Sequence, residues 1–408
     1  MNKPAIYTIT SSLHNETAVR SLSDEFLKGI FPDEEYEFKG ADFSDFGTED
    51  LNIIYIRTGG AEGIFKELLP DLQEAGTTYF TLLASGKSNS LAASLEILSY
   101  LRQNGLKGEV LHGSPEYIRK RIGLLKKIAA ARASLNGAAI GIIGKPSDWL
   151  IASGYDVEAM LTRLGVVTQE IPMEDLLDAF ALERAKMVDP QAVSAPESCS
   201  CAPDVRASMP DAVRIYQALR KVIEDNDISA LTLRCFDLLG SVHNTGCYAL
   251  AKLNSEGIPS SCEGDVPALL SMMVAHALTG CTGFQANPAR IDTETGEILF
   301  AHCTIPFGMV EDYCYDTHFE SGIGVGIHGH FPEGPVTVFK LSGSLDRAFI
   351  AEGEAMRNQR EPDLCRTQVW LRLRPEDARY FLTDPIGNHH ILIPGHHGAL
   401  LSEFVRNL

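Results

Sequence analysis

Two carboxylates, Glu263 and Asp265, flank Gly264 where a polar stretch runs into an apolar one. Beyond them Leu269, Leu270, Met272, Met273, Val274 and Ala277 leave no wide polar face, so the run predicts a buried helix, with both methionines as core. Carboxylates rarely stand beside such a helix unless they are paired, hydrogen-bonded or metal-bound. The plainer reading is a charged first turn that complements the helix dipole. The other groups able to do chemistry are Asn287, His302, His318, Glu320, His328, His330, His389, His390, His396 and His397. Of twelve histidines only His14 and His112 precede residue 243, which assigns any chemistry to the C-terminal part of the chain. A single imidazole in such a set is more often packed or exposed than a ligand. Neighbours on a strand point to opposite faces, so one at most of His389 and His390, and one of His396 and His397, faces a given pocket. A glutamate with imidazoles and an amide or carboxylate oxygen suits Mn²⁺, Mg²⁺ or Fe²⁺ better than zinc. It also leaves positions open for a substrate diol.

These groups need a scaffold. Strands are predicted over 4–10, 52–57, 79–84 and 108–112, each followed by a helix. The turns Gly59-Gly60 and Ser85-Gly86-Lys87 match neither a P-loop nor a dinucleotide fingerprint. Asn136-Gly137 marks a break, after which a strand over 138–144, the loop 145–149, a helix over 156–164 and a strand over 166–171 begin a new α/β pattern. Residues 187–210, rich in Pro, Ser and Ala, are expected to form a mobile insert. A helix over 211–226, a strand over 230–236, an amphipathic helix over 245–257 and a strand over 258–262 then deliver Glu263 to a strand end. After Gly280 the texture changes to a hairpin, 283–292 with 297–302, then strands at 322–328, 335–341 and 368–373 and a closing helix over 399–408. The fold class is therefore α/β: two Rossmann-like open-sheet domains, 1–136 and 137–280, followed by a mostly antiparallel, barrel-like β domain, 281–408.

Composition narrows the function. Hydrophobic content of 45% and charged content of 22% are those of a globular chain. A net charge of -19 argues against nucleic acid or an anionic membrane as partner. No apolar run is long enough for a membrane span and the first residues lack a signal core, so a cytoplasmic location is expected. Nine scattered cysteines without a CxxC pair fit buried thiols in a reducing compartment and speak against a zinc site.

Several segments together resemble the L-fucose isomerase and L-arabinose isomerase superfamily: Cys235-Phe-Asp-Leu, 249–258, Cys262-Glu-Gly-Asp-Val-Pro-Ala, Ala301-His-Cys, Thr317-His-Phe-Glu-Ser and Gly387-Asn-His. The resemblance covers about residues 138–408, with the first domain similar only in architecture. It implies a metal-dependent aldose–ketose isomerase, with Mn²⁺ as the expected ion, working through a cis-enediol on a small sugar. It also implies a homo-oligomer, trimer or hexamer, with sites near subunit contacts. Carried over residue by residue, it makes Glu263 a ligand and acid/base, His389 a ligand, and His302 a ligand or pocket residue. Where the family has a second acidic ligand and base, this chain has Asn287, and no acid occurs between Asp265 and Asp292. An amide oxygen can bind metal but accepts no proton near neutral pH. The second acid/base is then sought among His302, Glu320 and Asp265. His318, Glu320, Trp149 and, from a neighbouring subunit, His14 are the expected substrate contacts, with Trp149 alternatively a packing residue. Two other readings stay open on the same scaffold: a metal-assisted aldol-type lyase and a catalytically silent sugar-binding protein.

Overall fold

The computed structural model describes residues 3–33, 35–77, 79–189, 191, 199 and 201–408. The chain divides into two compact units, 1–133 and 134–406. The first unit alternates β1 (Ala5–Ile9), α1 (Glu16–Ile30), β2 (Glu37–Gly40), β3 (Asn52–Ile56), α2 (Glu62–Glu74), β4 (Tyr79–Ala84), α3 (Ser90–Gln103), β5 (Lys107–Leu111) and α4 (Pro115–Leu135). Its strands are all parallel in the doubly wound order β2-β1-β3-β4-β5. The central strands β1, β3 and β4 are apolar runs buried on both faces, as helices on each side of a parallel sheet require.

The second unit begins with β6 (Ala139–Ile143), α5 (Val157–Leu164), β7 (Val167–Ile171), α6 (Met173–Arg184), α7 (Pro203–Asn226), β8 (Ala230–Leu233), α8 (Asp237–Ser241), α9 (Cys247–Ser255), β9 (Ser260–Cys262) and α10 (Val266–Thr279). Its parallel sheet runs β7-β6-β8-β9. There follow β10 (Phe284–Asp292), β11 (Glu297–His302), β12 (Tyr313–Asp316), β13 (Gly326–Gly329), β14 (Gly334–Leu341), β15 (Ala348–Gln359), β16 (Thr367–Arg372), α11 (Pro375–Thr383), β17 (His390–Pro394) and α12 (Gly398–Arg406). Six of these strands close an antiparallel barrel in the order β10-β11-β16-β15-β14-β17. The expected class, open α/β sheets followed by a mostly antiparallel barrel, is the one observed.

The departures have local causes. Residues 187–210 were expected to form an insert, but α7 already starts at Pro203. Proline there supplies a helix N-terminus that needs no N–H, and Val205, Met209 and Ala212 bury one face. Residues 190, 192–198 and 200 of that stretch lie outside the described residues. Helix α9 is not amphipathic: nearly every residue from Cys247 to Asn254 is buried. The strand expected over 322–328 shrinks to β13, because Gly322 and Gly324 take left-handed conformations that no strand continues. Strands β2, β12, β15 and β17 and helices α6 and α11 lack a clean local period and were missed. The cysteines are not all free thiols either: Cys199 and Cys314 form a disulfide, while Cys201, Cys235, Cys247, Cys262 and Cys303 are buried and free. Among the described residues no helix is long and apolar enough to cross a membrane.

Candidate active site

Three strand ends of the β7-β6-β8-β9 sheet face the same edge and carry the loop 145–149, Arg234–Phe236 and Glu263. Open α/β sheets bind ligands at such carboxyl ends. Glu263 itself adopts φ 66°, a left-handed conformation rare for a residue with a side chain, and Gly264 follows at φ 73°. Gly264 has no substitute in that position: a Cβ would meet Lys145 O and Pro146 Cα at 2.7 Å each. The backbone is fixed by Ser147 N donating to Glu263 O at 2.9 Å and Gly264 N donating to Leu233 O at 3.0 Å. Gln285, buried on β10, accepts from Cys262 N at 2.8 Å and so registers the barrel against the strand that presents Glu263.

Asp265 caps α10 by accepting from Ala268 N at 2.8 Å, so the charged-first-turn reading of this residue holds. It does more. Its Oδ2 lies 2.8 Å from His389 Nδ1 and its Oδ1 lies 3.5 Å from Lys340 Nζ, with all three side chains at or near zero exposure. A carboxylate on Nδ1 sets the His389 tautomer and aims Nε2 away from it. That Nε2 lies 3.4 Å from Glu263 Oε1, and His302 Nε2 lies 3.8 Å from the same oxygen. His302 is held in turn by Nδ1 against Thr304 Oγ1 at 2.9 Å. The donor atoms of Glu263, His302 and His389 all fall within 4.8 Å of one another, a spacing a single cation can span.

Charge states follow the geometry. Burial alone would raise Glu263, but the imidazoles of His302 and His389 beside it outweigh that and hold the carboxyl well below the usual carboxylate range. Burial is likewise outweighed at Asp265, where Lys340 and His389 bring the carboxyl down to about 2. At His389 burial opposes the charge, yet Asp265 and Glu263 push the imidazole up to about 9. Burial and then, net of the opposing pull of Glu263, the neighbouring His389 pull His302 below its ordinary value.

Trp149 belongs to this site: it is 51% exposed, and its Nε1 donates to Glu263 Oε2 at 2.6 Å. Its ring meets Phe236 edge-on, and Phe236 meets His318 the same way, which forms an aromatic wall beside the carboxylate. His318 is depressed to about 4 by burial and by His302, so it stands within electrostatic reach of the site. Glu320 is on the same loop, pushed up by partial burial and by the charge of Glu263. Asn287 lies on β10 opposite Ala301, the neighbour of His302, with a buried Oδ1 that has no hydrogen-bond partner among the described residues.

The remaining histidines go elsewhere. His390 points away from His389, as strand alternation requires, into an aromatic cluster where Tyr380 Oη lies 3.1 Å from its Nε2. His328 binds Arg366 O, His330 binds Asp312, and His397 binds Pro394 O. His396 is about half exposed. His14, expected to reach the site of a neighbouring subunit, stands on the exposed turn after β1. Lys340, Gln285 and Thr304 escaped the sequence reading. The signal for Lys340 was present, a lone cation inside the apolar run Val336–Leu341.

The chain is similar to sulfoquinovose isomerases. The protein of that name from Clostridium sp. strain MSTE9 is 28% identical over 263 residues, which are 60% of this chain and 56% of the relative. Those from Priestia aryabhattai and Priestia megaterium are each 23% identical over 308 residues, 72% of this chain and 68% of theirs. The match thus spans little more than half the length of the Clostridium protein. No family model matches the chain.

Proposed function

We propose that this protein is an aldose–ketose isomerase acting on a small sugar with a divalent metal, Mn²⁺ by preference. The observation that carries the reading is the convergence of Glu263, His302 and His389 at the carboxyl edge of a parallel sheet, in a chain similar to sugar isomerases. The residues fit an ion by their own chemistry. His389 Nε2 and Asn287 Oδ1 are buried polar atoms without hydrogen-bond partners among the described residues, and such atoms are costly unless something binds them. Glu263, His302 and His389 would hold the ion, with Asn287 as a neutral fourth donor. When bound, the ion supplies the positive charge that stabilises oxyanion character on neighbouring sugar hydroxyls.

The chain's own groups do the rest. Isomerisation moves one proton between adjacent carbons and another between their oxygens. Glu263, ionised throughout the neutral range, accepts; Trp149 keeps one of its oxygens aligned while the indole face packs on the sugar. Asp265 is fully engaged by Ala268, His389 and Lys340, so it orients rather than shuttles. Glu320, on the loop that carries His318 and pushed up by burial and by the charge of Glu263, is the better second acid/base. His318 and Phe236 close the wall on the same side.

A panel of aldoses with Mn²⁺, with sulfoquinovose first and L-fucose and L-arabinose beside it, tests the function by ketose formation and solvent deuterium uptake at C2. Isomerisation with exchange is expected. Cleavage products in its place would establish the lyase, and saturable binding with neither would establish a silent binder.

The neutral amide makes a separate prediction. With Asn287 beside the ion, Asn287→Asp adds one negative charge to the ligand set and strengthens the Coulomb attraction. Calorimetric titration should show tighter Mn²⁺ binding in the variant than in wild type. Equal affinities place Asn287 outside the ion's reach.

A further inference from the structure

A second group of donors has a different chemistry. Cys199, Cys201 and Cys314 bring their sulfurs within 4.8 Å of one another. Cys199 and Cys314 are joined in a disulfide across 115 residues, with Cα atoms 5.0 Å apart. The third sulfur, Cys201 Sγ, stands 3.1 Å from Cys199 Sγ, and Cys201 is buried in the apolar cluster of Val205, Met209 and Tyr248. The disulfide uses two of these sulfurs and leaves the third against them, a closer convergence than packing alone asks of a small side chain. Tyr315 is buried near them; burial, its tyrosine neighbours and then Cys201 push its hydroxyl up, so it stays a donor.

The spacing can be weighed against a metal. Around a tetrahedral ion with Zn–S bonds of about 2.3 Å, sulfurs stand about 3.8 Å apart. The Cys199 and Cys201 sulfurs, 3.1 Å apart, must part by about 0.7 Å to reach that value and the bonded pair by more, while no pair stands beyond 4.8 Å. Cys199 and Cys314 are both partly exposed, so rotation about a side-chain bond opens them without rebuilding the core.

We propose that, once the Cys199–Cys314 bond is reduced, Cys199, Cys201 and Cys314 form a thiolate site for Zn²⁺ or another soft divalent d¹⁰ cation, with the fourth position left to water. A phosphine or dithiol reductant supplies the two electrons, the S–S bond becomes two thiols, and metal binding then displaces their protons and that of Cys201 into solvent. Sulfur donors separate this site from the oxygen and nitrogen donors at Glu263. The ion ties the approach to α7 to β12, and β12 runs directly into the loop of His318 and Glu320. Its consequence is to anchor one wall of the proposed active site.

The test uses the full-length protein, reduced with a phosphine, freed of reductant without oxygen and titrated with Cd²⁺. An ultraviolet sulfur-to-cadmium charge-transfer band that saturates at one equivalent is expected. It should be lost in Cys201→Ser and in Cys314→Ser, and kept in Cys281→Ser and in Glu263→Gln. Zinc K-edge absorption of the wild-type protein loaded with Zn²⁺ gives the same answer without a variant, as a shell of three sulfurs. No band, a band of full strength in Cys201→Ser, a sulfur-free zinc shell, or a disulfide that survives the phosphine each overturns the proposal.

Discussion

Glu263→Gln is expected to lower kcat for isomerisation by about 10²–10⁴-fold, the range that one positioned acid/base contributes, and to weaken Mn²⁺ binding as well. Glutamine keeps the shape and can still accept from Trp149 Nε1, so the change isolates the charge. Two consequences of that charge disappear together. The cation loses its one anionic donor in the group of Glu263, His302 and His389. The proton acceptor held well below the usual carboxylate range becomes an amide that accepts no proton. Solvent deuterium exchange at C2 and calorimetric Mn²⁺ titration read the two losses separately, and an unchanged melting temperature shows that the fold is intact. A variant that exchanges deuterium at the wild-type rate would remove Glu263 from the chemistry.

Asp265→Ala should cost more stability than any other single change at the site. Lys340, 1% exposed, has Asp265 as its ion-pair partner, and a buried charge stripped of its partner costs about 3–5 kcal/mol. Loss of the α10 cap adds about 1 kcal/mol. Metal affinity falls too, by about 10- to 100-fold, because His389 loses the carboxylate that fixes its tautomer. The stability loss depends on pH with a defined sign. The Asp265 carboxyl is depressed in the folded state to about 2, from an ordinary value of 3.8, so its contribution is fully present above pH 4 and is lost as pH falls through 2. Denaturant unfolding of wild type and variant should differ most near neutrality and converge in acid. A neutral-pH difference below about 1 kcal/mol, the size of a cap alone, would mean that Lys340 finds another partner. Asp265→Asn with Lys340→Met, which removes both charges at once, should recover much of the loss.

Local periodicity carried far along this chain. Strands β1, β3, β4 and β5 of the first sheet, the buried helix α10 capped by Asp265 and the hairpin β10–β11 could be read from apolar spacing and turn residues, because each is set by contacts within a few residues. Strand alternation likewise puts His389 and His390 on opposite faces. Strands β12, β15 and β17 could not be read so, since their pairing partners lie far along the chain and closure of the barrel, not propensity, makes them strands. The same limit applies to the site. Residue types placed Glu263, His302 and His389 among many candidates and the family resemblance singled them out, but their donor atoms meet only because the sheet edge and the barrel are held in register by Gln285 and Lys340. Trp149 was ambiguous for the same reason: a tryptophan in a loop packs or stacks according to what faces it, and here it faces Glu263. Cys199 and Cys314, 115 residues apart, show the principle most simply. A sequence specifies which groups are reactive and which segments pair locally, whereas nonlocal burial decides which of those groups share a pocket and what charge they carry there.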